Sequence, residues 1–213
     1  MRKRRDYYTK KAKQEGYRSR AAYKLLQIDK KFNLFHENQA IIDLCGAPGG
    51  FSQVARDQTC QKGDIFLVDL ARIKPIPHIT EIIKGDITKI STIVQLQECL
   101  KKHGSEEKEI VVLADCSPNV SGHWLTDHAR QIWLAEVALG ISNYFLAEKF
   151  LTKVFQGQLF KKYILKIKNV YKIVKIHKPE TSRKRSAETY IIASERLNRD
   201  VPRYNRESLI LDE

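Results

Sequence analysis

Residues 43–51 read Asp43-Leu44-Cys45-Gly46-Ala47-Pro48-Gly49-Gly50-Phe51. The apolar run 40–44 stops there, three glycines and a proline follow, and Phe51 opens a stretch with helical spacing to about Asp57. A strand that turns sharply through glycine into a helix is the opening βα unit of a doubly wound sheet, in which ligands gather beyond the carboxyl ends of the strands. Small residues let a ligand approach the backbone, and the N-terminus of the next helix receives an anionic group. Tight packing alone also asks for glycine in many βα turns. The spacing departs from G-x-G-x-x-G, and no G-x-x-x-x-G-K-[ST] occurs, which disfavours a nicotinamide-dependent dehydrogenase and a nucleoside triphosphatase.

Outward from this turn the chain alternates. Apolar runs at 65–68, 81–83, 110–114 and 150–155 are separated by helix-like stretches near 92–102, 127–145 and 159–168, and two last strands near 171–176 and 190–193 flank the loop 177–188. This rhythm predicts an α/β fold with a doubly wound, mostly parallel, seven-stranded Rossmann-like sheet. Upstream, Ala22, Leu25, Ile28 and Phe32 recur at three- and four-residue spacing. They predict an amphipathic helix from an N-cap at Ser19 to about Lys31, with Lys24 off the apolar stripe. Nothing divides the chain, so residues 1–196 read as one domain, with a basic N-terminal segment at 1–36 and a polar tail at 197–213.

Lysine and arginine number 38 against 25 aspartates and glutamates, a formal charge of +13. A core has no use for that excess and a polyanion does, so nucleic acid is the expected partner, a generally basic proteome being the alternative. Arg2, Lys3, Arg4, Arg5, Lys10, Lys11, Lys13, Arg18 and Arg20 are interleaved with Tyr7, Tyr8 and Tyr17. Cations meet phosphates and rings stack on bases, which suits RNA. The alternative is a solvated helix whose tyrosines dock on the domain. No run of 18 apolar residues occurs and the start MRKRRDYYTKKAK is charged, so neither a membrane span nor a secretory signal is expected and the protein reads as cytoplasmic. Cys45, Cys60, Cys99 and Cys116 form no C-x-x-C pair. They read as reduced, space-filling thiols, a catalytic role for Cys45 or Cys116 inside their motifs being the alternative, and no zinc site is expected.

Several carboxylates fall at strand ends. Asp69 ends the second strand 26 residues after Asp43, where a carboxylate takes the hydroxyls of an adenosine ribose. Asp86, in Lys84-Gly85-Asp86, follows the third strand and suits an adenine amino group; Asp115 follows the fourth. Each aspartate alone serves equally as a cap or turn residue. Lys153 lies in the otherwise apolar run Phe150-Leu151-Thr152-Lys153-Val154-Phe155. A lysine in a central strand is costly to bury and is therefore paired or functional, unless it snorkels from the strand end.

The segments GYRSRAAYKLLQI, DLCGAPGGFSQ, DCSPNVSG, TKVFQG and KPETSRKRSAE resemble, in order and spacing, the conserved blocks of the FtsJ family of RNA ribose 2′-O-methyltransferases, over about Arg5 to Ile192. The resemblance implies a sheet of the S-adenosylmethionine-dependent methyltransferase type, S-adenosylmethionine as methyl donor and no metal. It places the family's Lys-Asp-Lys-Glu tetrad on Lys24, Asp115, Lys153 and Glu188, and its cofactor contacts on Gly49, Phe51, Asp69, Asp86 and Asp115. This sequence has Cys45-Gly46 where many members have Gly-Ala, and Phe51 where many have tryptophan.

Methyl transfer to a ribose hydroxyl is an in-line displacement, and the resemblance makes Lys153 the general base. A lysine with an unperturbed pKa of roughly 10.4 needs burial or a like charge to act so at neutral pH, and Lys24 is expected to supply that charge. Glu188 is then expected to orient Lys24 and the ribose, and Asp115 to position Lys153. Lys178, Arg183, Lys184 and Arg185 lie just before Glu188 and extend a basic surface, unless that loop is only solvated.

SPNVSG, TDHAR and KVFQG resemble ribosomal RNA members, archaeal ones especially, which favours a uridine of 23S rRNA in the large subunit. RDYYTKKAKQEGY and PIPHIT resemble the tRNA anticodon-loop enzymes, the alternative substrate. A non-catalytic RNA-binding ribosome-assembly factor is the reading from another class, and the intact tetrad argues against it. A monomer is expected.

Overall fold

The seven apolar runs become seven strands of one sheet: β1 (Ala40–Leu44), β2 (Asp64–Asp69), β3 (Glu81–Lys84), β4 (Ile110–Ala114), β5 (Lys149–Phe155), β6 (Tyr171–His177) and β7 (Glu188–Arg196). The computed structural model describes residues 2–182 and 186–197. Arg183, Lys184, Arg185 and residues 198–213 lie outside the described residues, as do the side chains of Arg2, Lys3, Arg4 and Arg5.

The strand order is β3-β2-β1-β4-β5-β7-β6. The first five strands pair in parallel, and β7 runs antiparallel to both β5 and β6. β1 and β4 occupy the middle and are buried along their whole length, which is why both read as continuous apolar runs. Because β7 is antiparallel, its amino end lies at the same edge as the carboxyl ends of the parallel strands. Tyr190 sits opposite Lys153, and Glu188 opposite Phe155.

Helices cover both faces. On one, Leu25 and Ile28 of α2 (Ala22–Phe32) and Phe51, Val54 and Ala55 of α3 (Gly50–Gln58) pack on Ile41, Ile65, Val111, Leu113, Leu151, Tyr190 and Ile192. On the other, Ile93 and Leu96 of α4 (Ile90–Lys102), Ile132 and Ala138 of α5 (Trp124–Tyr144), and Tyr163 and Ile167 of α6 (Phe160–Lys168) pack on Ile42, Val68, Val112, Phe150 and Ile191. Neighbouring residues of each strand divide between the faces with a period of two. Each buried aliphatic or aromatic side chain contributes roughly 1.5–3 kcal/mol.

Two sequence expectations change at the amino end. Ser19 is not an N-cap: α2 begins at Ala22 after Ala21, with no side-chain cap. The Ser19 hydroxyl instead fills the space beside Gly50, where a Cβ would overlap it. The preceding backbone is held by the Gln53 side chain, which accepts the Arg18 N–H at 2.7 Å. In the basic helix α1 (Arg2–Gln14), the docking alternative holds for part of the aromatic set. The rings of Tyr8 and Tyr17 pack on Tyr23 of α2 at centroid distances of 5.4 and 6.0 Å, while Tyr7 is exposed. Tyr23 donates to Glu15 at 2.6 Å. Among the described residues no helix is long and apolar enough to cross a membrane.

Candidate active site

Strand alternation explains why one face gathers the polar groups. Asp43 follows Ile41, Lys153 follows Leu151, Tyr190 precedes Ile192, and those apolar neighbours all face α2 and α3. Asp115, next after β4, continues the alternation of Val111 and Leu113, and Glu188 shares the face of Tyr190. Residues two apart share a face, so these side chains emerge together at the carboxyl edge, under α2.

There they form a hydrogen-bonded row. Lys24 and Lys153 are each only 7% exposed, and a buried cation is tolerated when paired. The Lys153 ammonium group lies 3.1 Å from Asp115 Oδ1 and donates to the Asp115 carbonyl at 2.9 Å. The Tyr190 hydroxyl donates to the same Oδ1 at 2.8 Å. Lys24 in turn donates to Tyr190 Oη at 3.3 Å and pairs directly with Glu188. The structure thus brings together Lys24, Asp115, Lys153 and Glu188 from α2, the end of β4, β5 and β7. Glu188 partners Lys24, and Asp115 partners Lys153. Lys24 addresses Glu188 and Tyr190, so its contact with Lys153 runs through Tyr190 and Asp115.

Tyr190 is the residue the sequence reading missed. It is fully buried, and burial, reinforced by the Asp115 and Glu188 charges, holds its phenol well above the usual tyrosine range. It therefore keeps its proton and stays a donor to Asp115. The signal available in the sequence was its place two residues after Glu188, on the same strand face.

The glycine turn leads from β1 to α3. Gly49 caps α3 with φ of 107°, and a Cβ there would overlap the Ile76 side chain. Cys45 adopts φ of 58°, the left-handed region that favours glycine. The Ala47 N–H donates to Asp69 Oδ2 at 2.9 Å and the Ala71 N–H to Asp69 Oδ1 at 2.8 Å, so Asp69 fixes the turn from the end of the neighbouring strand. Asp86 accepts the Thr88 N–H and hydroxyl at 2.9 and 2.8 Å, the turn role weighed as its alternative. Phe51 is 3% exposed and packs toward the Tyr190 ring at 6.4 Å.

Asp43 is fully buried. Its Oδ2 accepts the Ser52 hydroxyl at 2.6 Å, while Oδ1 has no partner among the described residues. Burial, with smaller contributions from the Asp115 and Asp69 charges, pushes this carboxyl up to about 7.

The reading of all four cysteines as reduced thiols is corrected for two of them. Cys45 and Cys116 form a disulfide with a Cα–Cα distance of 5.0 Å. Register brings them near: Leu44 of β1 and Ala114 of β4 are partners in the parallel ladder, so Cys45, one residue beyond Leu44, and Cys116, two beyond Ala114, leave neighbouring strands side by side. A search for short-range cysteine pairs misses two residues separated by 71 positions. Cys60 and Cys99 are free.

A central parallel sheet ended by an antiparallel hairpin, with a glycine turn after β1 and a lysine–carboxylate row beside it, agrees with the doubly wound methyltransferase fold that the resemblance implies. A family model described as FtsJ-like methyltransferase matches residues 17–196. The chain belongs to that family. It is 44% identical over 198 residues to a Methanosarcina mazei protein named ribosomal RNA large subunit methyltransferase E, covering 92% of this chain and 71% of the relative. A Methanocaldococcus jannaschii protein of the same name is 41% identical over 196 residues, covering 91% and 79%. Among solved structures, a Plasmodium falciparum protein described as a ribosomal RNA methyltransferase superposes with a TM-score of 0.73 at 26% identity, covering 86% of this chain and all of that one.

Proposed function

We propose that the protein transfers a methyl group from S-adenosylmethionine to a ribose 2′-hydroxyl of large-subunit ribosomal RNA, with Lys153 as the general base. The observation that carries this reading is the hydrogen-bonded row Lys153–Asp115–Tyr190–Lys24–Glu188, with both lysines and the tyrosine buried, at the carboxyl edge of the sheet. The names of the archaeal relatives support ribosomal RNA as the substrate.

The residues around the glycine turn suit this donor. A buried carboxylate oxygen of Asp43 lacking a partner suits a cationic group, and Asp69, held by two backbone N–H groups, suits the hydroxyls of an adenosine ribose. Gly49, Phe51, Asp86 and Asp115 complete the set that would hold it. When bound, the donor supplies an electrophilic methyl group on a sulfonium.

The protein's own part is to hold and deprotonate the hydroxyl. As the neutral amine Lys153 Nζ takes the ribose proton and becomes the ammonium that Asp115 holds through two contacts from one residue. Tyr190 locks the other side of the Asp115 carboxylate, and Lys24, aligned by Glu188, presents a cation to the ribose oxygens. Proton removal by a positioned base is worth about 10²- to 10⁴-fold, and alignment supplies much of the remainder. The +13 charge of the chain favours association with RNA.

The test is methyl transfer from labelled S-adenosylmethionine to large ribosomal subunits and to tRNA, both from cells lacking the gene, with the labelled nucleotide mapped. Label on a ribose of the large-subunit RNA is expected. Lys153→Ala is expected to lose about 10²- to 10⁴-fold in turnover while donor binding is retained. Label on tRNA would overturn the substrate, and normal turnover by Lys153→Ala would overturn the base.

A further inference from the structure

Trp124 opens α5 and is 47% exposed, although two other rings pack against it. It stacks on His128 at 5.8 Å with an interplanar angle of 12°, and on Phe155 at 6.0 Å and 23°. His128 is buried, while close to half of the Trp124 surface is open to solvent.

The position of this ring is tied to the tetrad. Trp124, His128 and Gln131 fall at i, i+4 and i+7, one stripe of the helix. Gln131 Nε2 donates to the Lys153 carbonyl at 2.8 Å, and His128 Nε2 accepts the Leu159 N–H at 3.1 Å. Phe155, the other stacking partner, is two residues beyond Lys153 on β5 and opposite Glu188. Seven residues at a rise of about 1.5 Å place Trp124 roughly 10 Å along the helix from the point where α5 grips Lys153. The amino end of α5 is also fixed: the Asp127 carboxylate accepts the Ser121 N–H and hydroxyl at 2.8 and 2.7 Å, and the Gly122 N–H at 3.1 Å. Val120 and Leu125, four residues before and one after Trp124 in the chain, are 70% and 55% exposed.

A large, flat, immobilised aromatic surface, open to solvent beside a site for a ribose and carried by a strongly basic chain, suits one chemistry above others. We propose that the exposed Trp124 ring, backed by Phe155 and His128, is a stacking platform for an unpaired nucleobase of the RNA strand whose ribose lies at Lys153. This rests on the RNA reading above. Stacking on the indole turns the strand so that one ribose edge faces Lys153 and the bases leave along α5. It requires a single strand at that point, because a paired base offers no free face to the ring.

Trp124 and Trp133 are the two tryptophans of the chain, so Trp133→Phe leaves Trp124 as the reporter. In that background, oligouridylate is expected to change the tryptophan emission at saturation. An abasic strand of the same length and charge is expected to change it far less. In steady-state methyl transfer, Trp124→Leu is expected to raise KM for the RNA by about fivefold or more. That loss falls on KM rather than on donor affinity, and Trp124→Phe restores most of it because a ring is restored.

Equal responses to oligouridylate and the abasic strand would overturn the platform. So would Trp124→Leu and Trp124→Phe having the same KM while the parent enzyme methylates RNA normally. If the parent chain neither bound nor methylated RNA, the proposed function itself would fall and the platform with it. The fluorescence arm retains Trp124 and therefore decides the question even where Trp124→Leu folds poorly.

Discussion

Replacing Asp43 with asparagine removes an ionisable group from the middle of β1 at almost constant shape. In the free protein this fully buried carboxyl titrates at about 7, and one of its oxygens lacks a partner among the described residues. A cationic donor that relies on the charge of Asp43 binds only the ionised fraction. With a pKa of about 7, that fraction is about 0.09 at pH 6 and about 0.9 at pH 8, so the apparent Kd for S-adenosylmethionine falls about tenfold over that interval. Titration calorimetry at both pH values measures it, and repeating it in buffers of different ionisation enthalpy counts the proton released. Asp43→Asn abolishes the pH dependence. The same shift sets a stability trend of defined sign. Folded Asp43 holds its proton more tightly than an unfolded aspartate near 3.9, so the donor-free protein loses stability as pH rises from about 4 to about 7. Asp43→Asn escapes that loss, and its advantage over the parent grows across the window by an amount on the order of a few kcal/mol. A Kd constant within twofold from pH 6 to pH 8, or an unchanged pH slope in Asp43→Asn, would refute the reasoning.

Tyr190→Phe deletes the donor that holds Asp115 Oδ1 and the acceptor that meets Lys24. A hydrogen bond to a charged group is worth about 1.5–3 kcal/mol, so urea unfolding is expected to show a loss of about that size. Turnover is expected to drop by roughly tenfold or more as Lys153 loses its alignment. Gly49→Ala, at φ of 107° and with a Cβ overlapping Ile76, is expected to cost about 1–3 kcal/mol and to weaken donor binding by calorimetry. Gly16→Ala, at φ of 78° with nothing within 4 Å, carries only the backbone part, so the difference between the two variants isolates the steric part. Methyl transfer is expected to weaken steeply as salt rises, since each phosphate contact releases counterions; a flat response in KM for RNA would remove phosphate recognition from the account.

Much of the fold was legible because its signals are local. The apolar runs of β1 and β4 are uninterrupted, and the observed spans match the expected 40–44 and 110–114. β7 runs five residues longer than its apolar centre at 190–193, because Glu188 and Arg196 join the ladder through backbone bonds that carry no hydropathy signal. Lys153 and Asp115 were legible as a lysine in an apolar strand and a carboxylate at a strand end, whereas Lys24 and Glu188 entered only through family resemblance. Nothing in spacing relates Lys24 to Glu188, 164 positions apart, until α2 lies across β7. Tyr190 and the Cys45–Cys116 pair were hidden for the same reason, since both depend on which strands are neighbours. The substitution at Cys45 was visible in the sequence, and its meaning was not: the left-handed backbone there suits the glycine that many family members carry.

The two faces of the sheet carry different burdens. Every residue of the lysine–carboxylate row lies on the side covered by α2 and α3, whereas the larger apolar cluster, built with α4, α5 and α6, contains none of them. Thermostability and chemistry are therefore separable by location. Core substitutions under α4 and α6 offer room for stabilising the chain without disturbing the lysine–carboxylate row, while changes beneath α2 bear on core and row together.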